Sequence, residues 1–201
     1  MYKHCIKRSL DFTLSLLAII VLSPIMLLVA ILVRINLGSP IIFKQRRPGL
    51  NEKIFTVYKF RSMTNEKDES GEFLPVELRI TKFGKWLRST SMDELPQLIN
   101  ILKGDMAIVG PRPLRVEYLE LYNDEQRKRH NVRPGLTDLS AIRGRSNVSW
   151  EDQFKHDIEY IENLSFLLDL KIVIFTVITV IKREGVSQEG HITREPFRGT
   201  N

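Results

Sequence analysis

Residues 12–33 read FTLSLLAIIVLSPIMLLVAILV, an apolar run without a single charge. Crossing a bilayer as a helix takes about 20 apolar residues, so the run is long enough. It is too long for the apolar core of a cleaved signal peptide, and no small-x-small cleavage site follows it. A core helix of a water-soluble domain would carry a polar face, which this run lacks. Two features argue against a plain span. Ser23-Pro24 sits at the middle, where proline removes a backbone hydrogen bond and kinks a helix. Both flanks are basic, with Lys3, Lys7 and Arg8 before the run and Arg34, Lys44, Arg46 and Arg47 after it. The preference of cations for the cytoplasmic side would hold both ends there. A helix–break–helix that dips into the membrane and returns satisfies both features; a spanning anchor is the alternative.

Beyond this run, the 201-residue chain leaves room for one compact domain. Its net charge of +6 and pI near 9.5 suit either a solubilising surface or an anionic partner. Cys5 is the only cysteine, which excludes an internal disulfide and a cysteine zinc site. His4, His130, His156 and His191 lack metal-ligand spacing, and no Walker loop, dinucleotide fingerprint or internal repeat is present.

Stretches 41–45 and 54–60 read as strands around the turn Arg47-Pro48-Gly49-Leu50-Asn51, a β-hairpin. Residues 65–75 form a charged loop, and helical signals follow at 82–88 and 93–102. A short apolar strand at 106–109 runs into Gly110-Pro111-Arg112-Pro113. Residues 150–163 predict a helix with Trp150, Phe154, Ile158 and Ile161 on one face. The apolar stretch 165–183 carries Asp169 and Lys171, and its uncharged part is too short to span. It reads as a helix in the membrane interface or as a buried core element.

The densest chemistry lies in STSMDELPQLINILKGDMAIVGPRPL, residues 89–114. Asp93 and Glu94 are adjacent acids at the start of the helix expected at 93–102. Ser91-x-x-Glu94 fits a capping box, and acids favour a helix N-terminus. The functional alternative is a carboxylate that binds Mg²⁺ or attacks phosphorus, ringed by cations that neutralise phosphate. Arg88, Arg112, Lys59, Arg61, Arg143 and Arg145 are candidate cations, although each alone also reads as a solvated charge.

The ordered motifs SPI, RPG, YKFRSM, R-S-x-S-x-DELPQL-x-N-x-L-KGDM, VGPRP and VRPGLT followed by GR cover nearly the whole chain. In these the chain resembles the bacterial monotopic phosphoglycosyl transferases, which attach the first sugar to undecaprenyl phosphate. The resemblance implies a UDP-sugar donor, Mg²⁺ dependence, a hairpin broken at Ser23-Pro24 and a place on the cytoplasmic face of the bacterial inner membrane. It implies Asp93 and Glu94 as the catalytic and metal-binding dyad, with Asp93 as covalent nucleophile. Arg88 and Arg145 match phosphate-contacting positions, and Pro111, Arg112 and Pro113 the stretch associated with the nucleotide; Lys59 is counted with them as a substrate-binding cation. Small size and the tail GVSQEGHITREPF resemble the members that transfer diacetylbacillosamine phosphate in protein N-glycosylation; other short members share this tail. After Thr137 many relatives continue Gly-Trp-Ala-Gln-Val, where this chain has Asp138-Leu139-Ser140-Ala141-Ile142.

The resulting expectation is an α+β protein. Residues 1–38 form a re-entrant membrane hairpin with basic flanks. Residues 39–201 form a small, mainly helical catalytic domain with a short β-hairpin and interfacial amphipathic helices. Its partners would be the UDP-sugar, undecaprenyl phosphate, the membrane and downstream glycosyltransferases, with no nucleic acid. The competing reading is a membrane-anchored basic binding or scaffold module without catalysis.

Overall fold

The computed structural model describes residues 2–144, 148–182 and 195–199. A π-helical turn at Tyr2–Ile6 leads into α1, Lys7–Leu37, which holds Pro24 inside it. The helix is continuous where the sequence led us to expect two halves. Proline cannot donate to the carbonyl four residues back, which here belongs to Ile20. The Ser23 hydroxyl donates to that carbonyl at 2.9 Å, satisfying the acceptor that Pro24 leaves open.

α1 lies along the rest of the protein for its whole length. Near its start, Lys7, Asp11 and Ser15 are buried. Arg8 donates to the carbonyls of Ile101 and Leu102, and the backbone N–H of Ile108 donates to Asp11 Oδ1 at 3.0 Å. In the middle, Ala18, Ile19 and Leu22 pack on Val57, Leu98, Ile101 and Met106. Toward the end, Val29 and Val33 join Phe60 and Leu87. These contacts recur every three or four residues, the period of one helix face. The opposite face leaves Leu17, Ile20, Val21, Leu27, Leu28 and Ile35 exposed.

The hairpin forms as read from sequence: β1, Ile42–Pro48, pairs antiparallel with β2, Ile54–Phe60, with Phe43 opposite Lys59 and Arg47 opposite Phe55. The charged loop follows, then the short α2, Val76–Arg79, and α3, Lys82–Ser89, capped by Thr81 Oγ1 accepting from Gly84 N. The helix expected over 93–102 divides. Met92–Glu94 is a 3₁₀ turn, and α4 begins only at Gln97–Lys103, behind Pro96.

β3, Ala107–Val109, pairs in parallel with β4, Gly135–Thr137, a strand absent from the sequence reading. Gly110 and Gly135 allow this pairing. A Cβ at Gly110 would lie 2.3 Å from the Arg133 carbonyl oxygen, and one at Gly135 2.2 Å from Gly110 N. The short α5, Asp124–Arg127, lies between the two strands and has an Asn123 capping box.

α6, Trp150–Glu162, forms close to the range expected, but its buried residues are Gln153, Phe154, Asp157 and Tyr160. The expected face is only part of what packs inward: Phe154 is buried and Trp150 and Ile161 pack against the cores, while the polar pair Gln153 and Asp157 also turns inward, Asp157 meeting a buried arginine. α7, Phe166–Lys182, buries Asp169 and Ile172 and exposes Leu167, Ile174, Phe175, Val177, Ile178 and Ile181. Asp169 accepts from Lys7 Nζ at 2.6 Å and lies 2.7 Å from the Tyr160 hydroxyl, joining α7 to α1 and α6. Near the C-terminus, Phe197 is buried among Tyr118, Tyr122, Phe154 and Trp150.

Candidate active site

The acid pair sits on the 3₁₀ turn between α3 and α4. Ser91 enters it at φ 55°, in the left-handed region that costs a non-glycine residue about 1 kcal/mol. The Ser91 side chain makes no capping bond, and the Glu94 side chain points to cations rather than back to the Ser91 backbone. The capping box expected from Ser91-x-x-Glu94 is therefore absent. With three residues per 3₁₀ turn, successive side chains diverge by about 120°, so the adjacent acids enter different surroundings.

Glu94 Oε1 accepts from Lys59 Nζ at 2.6 Å and from Arg112 Nη2 at 2.7 Å. Burial alone would raise its pKa, but Arg112 and Lys59 outweigh burial and hold Glu94 well below the usual carboxylate range. Asp93 is buried, and burial together with the Glu94 charge pushes it up to about 6, against the pull of Lys59, Arg88 and Arg112. Glu94 in turn holds the Arg112 guanidinium protonated. Arg88, at the end of α3, donates Nε to Ser62 Oγ at 3.2 Å. Burial lowers it, while Asp93 and Glu94 favour its charge. Two neighbouring acids with pKa values driven in opposite directions are a recurrent sign of divided catalytic roles.

Arg112 reaches this turn from the loop after β3. Beneath it lies Arg129, which is 2 % exposed and was not among the candidates read from the sequence. Arg129 donates Nε and Nη2 to Asp157 Oδ2 at 3.0 and 2.7 Å, Nη2 also to the Arg112 carbonyl at 2.9 Å, and Nη1 to the Tyr122 hydroxyl. No motif spacing links residues 112, 129 and 157. Pro111 and Pro113 line a small pocket with Pro48, Gly49, Arg129 and His130. Beside it opens a cleft lined by Lys59, Arg112, Pro113, Gln97, Arg47 and Gln45, among others.

The fold thus gathers Lys59, Arg88, Asp93, Glu94, Arg112 and the flanking prolines. It does not gather every candidate cation. Arg61 turns to the carbonyls of Leu37 and Ser39, fastening the end of α1. Arg143 forms a two-pronged pair with Glu159 at 2.5 and 2.6 Å. Arg145 lies outside the described residues. At the departure from the relatives' pattern, Asp138 is buried and Oδ1 accepts from Ala141 N at 2.8 Å. Burial raises the Asp138 pKa, and Arg112 is the foremost influence opposing it.

A family model described as "Bacterial sugar transferase" matches residues 2–183. The chain belongs to the bacterial sugar transferase family. It is an enzyme of the phosphoglycosyl transferase class. Within the family it is 49 % identical over 195 residues to the uncharacterized sugar transferase EpsL of Bacillus subtilis (strain 168), covering 97 % of this chain and 96 % of that protein. It is 42 % identical to the UDP-glucose:undecaprenyl-phosphate glucose-1-phosphate transferase of Klebsiella pneumoniae, over 85 % of this chain but 39 % of that protein. A UDP-N-acetylgalactosamine-undecaprenyl-phosphate N-acetylgalactosaminephosphotransferase of Aeromonas hydrophila is 35 % identical, over 88 % of this chain and 44 % of that protein. The chain thus spans nearly all of EpsL and less than half of the two larger relatives.

Proposed function

We propose that this enzyme transfers a sugar-1-phosphate from a UDP-sugar to undecaprenyl phosphate, with Asp93 as the covalent nucleophile and UMP as the leaving group. One observation carries this reading: a buried Asp93 stands beside Glu94, whose charge is already matched by Lys59 and Arg112. Glu94 is committed to holding cations in place, and Asp93 is left for chemistry.

In the first step an Asp93 carboxylate oxygen bonds to the sugar-bearing phosphorus. The bond from that phosphorus to the oxygen bridging the two phosphates breaks, and UMP departs with that oxygen. In the second step a phosphate oxygen of the lipid bonds to the same phosphorus. The bond to Asp93 then breaks, which restores the carboxylate and gives the lipid diphosphate sugar. Lys59, Arg88 and Arg112 lie where they can offset phosphate charge during both steps.

The donor set also fits Mg²⁺. The site offers two carboxylates, and among the described residues no group of three His, Cys, Asp or Glu side chains gathers to cage a metal. Mg²⁺ commonly takes one or two carboxylates and completes its shell with phosphate oxygens and water. Asp93, with Glu94 beside it, would hold the ion. Bound there, it would supply charge neutralisation for the diphosphate.

The relatives' names include glucose and N-acetylgalactosamine transferases, so the donor is proposed only as a UDP-sugar. Residues 1–38 would be the membrane segment and residues 39–201 the catalytic domain. The cytoplasmic face of the inner membrane is proposed from the basic flanks of the apolar run, and a monotopic placement is supported by α1 itself. Its 31 residues extend about 46 Å, longer than the ~30 Å hydrocarbon core, yet both ends and the middle rest on one body. The apolar faces of α1 and α7 would lie in the membrane, presenting the cleft to the lipid phosphate. The product would then pass to downstream glycosyltransferases as the first membrane intermediate of a glycoconjugate.

The test supplies purified full-length protein in nanodiscs with undecaprenyl phosphate, Mg²⁺ and a panel of UDP-sugars. One UDP-sugar should yield UMP in step with lipid-linked sugar. UDP as the stoichiometric nucleotide product would reject the reaction.

A further inference from the structure

The face of the hairpin that turns into the cleft carries Phe43, Gln45 and Arg47 from β1 and Val57 and Lys59 from β2. These positions alternate along each strand, as side chains on one face must. Lys59 and Arg112, the two other cations of this cleft, are both bonded to Glu94. Arg47 differs. Its Nη2 donates to the neutral Gln45 Oε1 at 2.6 Å, and among the described residues it has no carboxylate within the 4.0 Å of an ion pair. Burial, Arg112 and Arg115 together push Arg47 down to about 10, opposed by Glu117 and Tyr118. A half-buried guanidinium crowded by other cations, held by a neutral amide and facing an open cleft, is arranged to receive an anion.

We infer that Arg47 is a phosphate-binding residue of the cleft, taking a substrate phosphate oxyanion in a forked contact beside the one handled by Lys59 and Arg112. This rests on the reaction proposed above, which brings two phosphates to the cleft besides the one transferred: the nucleotide phosphate of the donor and the phosphate of the lipid. Gln45 acts as a positioning residue, fixing the plane of the guanidinium through the 2.6 Å bond.

The experiment uses full-length protein in nanodiscs and measures inorganic pyrophosphate binding at low salt, with no turnover required. Arg47→Gln should weaken binding about tenfold, and Arg47→Lys, which keeps the charge but loses the fork, should fall between. Arg46→Gln removes the same charge from the exposed, opposite face of β1 and should change binding less than about twofold. Steady-state kinetics then separate the two sources. A raised KM for the UDP-sugar alone assigns Arg47 to the donor, and a raised KM for undecaprenyl phosphate alone assigns it to the acceptor. Pyrophosphate binding equal to wild type in Arg47→Gln, with neither KM moved, would overturn the inference. Pyrophosphate binding lost in Arg47→Gln, from a wild-type chain that releases no UMP with any UDP-sugar, would keep the anion site and reject the reaction instead.

Discussion

Two clusters of buried charge flank the loop Pro111-Arg112-Pro113, and they are built on opposite plans. On one side Arg129 and Asp157, each 2 % exposed, form a matched pair. Gln153 takes the second Asp157 oxygen, while Tyr122 and the Arg112 carbonyl take further guanidinium N–H groups. On the other side two adjacent acids share Lys59 and Arg112 unevenly. Glu94 takes both hydrogen bonds, and Asp93 keeps a raised pKa in a buried position. The first plan satisfies its groups and fixes a loop. Burial raises Asp157 and Asp93 alike, each to about 6, but the second plan gives both cationic hydrogen bonds to Glu94 and sets Asp93 against that like charge, an arrangement that serves reactivity rather than stability.

The sharpest way to break this contrast is Asp93→Asn. Turnover should fall about a thousandfold or more, because the covalent route is lost. Stability should move the other way. Asp93 is raised in the folded state, so at neutral pH its ionised form costs stability that Asn does not. The variant should therefore melt at a higher temperature than wild type near pH 7. That advantage should shrink as pH falls from about 6 toward 4, where wild-type Asp93 becomes protonated. Calorimetry beside a UMP assay checks both signs, and near-normal turnover would remove Asp93 from the mechanism.

Next in size is Arg129→Met. Leaving Asp157 buried without its cation should cost about 3–5 kcal/mol, seen as a large fall in denaturation midpoint. Replacing Asp157 by Leu in the same chain should recover part of it. An unchanged midpoint for Arg129→Met would mean that the two clusters do not differ as described.

The smallest expected effect is in the pH profile. Since Asp93 must be ionised to attack, kcat/KM of the wild type should climb through about pH 6, roughly tenfold per unit on the acid side. Arg88 favours the ionised form, so Arg88→Gln should shift this limb to higher pH. A shift to lower pH would contradict the assigned electrostatics.

Much of the scaffold was legible before any coordinates. The β-hairpin, α3, β3 and α6 lie within a few residues of where periodicity and turn residues put them. The dyad and its cations were legible as candidates, but their chemistry was not separable from capping. The same Ser91-x-x-Glu94 spacing serves a capping box, and the left-handed Ser91 that rules it out is a backbone fact. Arg129 and Asp157 were invisible because a buried ion pair between distant residues leaves no local pattern. For the same reason the inward turn of Gln153 and Asp157 lay outside the apolar-face reading of α6, which holds for Trp150, Phe154 and Ile161. β4 was missed because a three-residue strand containing glycine carries too short a period to register.

The sequence by itself determined the long apolar helix, the family motifs and which residues could bear charge in the site. These depend on composition and local order, which a chain displays along its length. Only the tertiary structure decided that the Ser23 hydroxyl carries α1 past Pro24, that Glu94 rather than Asp93 claims Lys59 and Arg112, and that Arg47 faces the cleft with no carboxylate among the described residues at ion-pair distance. Each of these outcomes is a competition among several groups for one partner. It is resolved by distances of a few ångströms between residues up to dozens of positions apart.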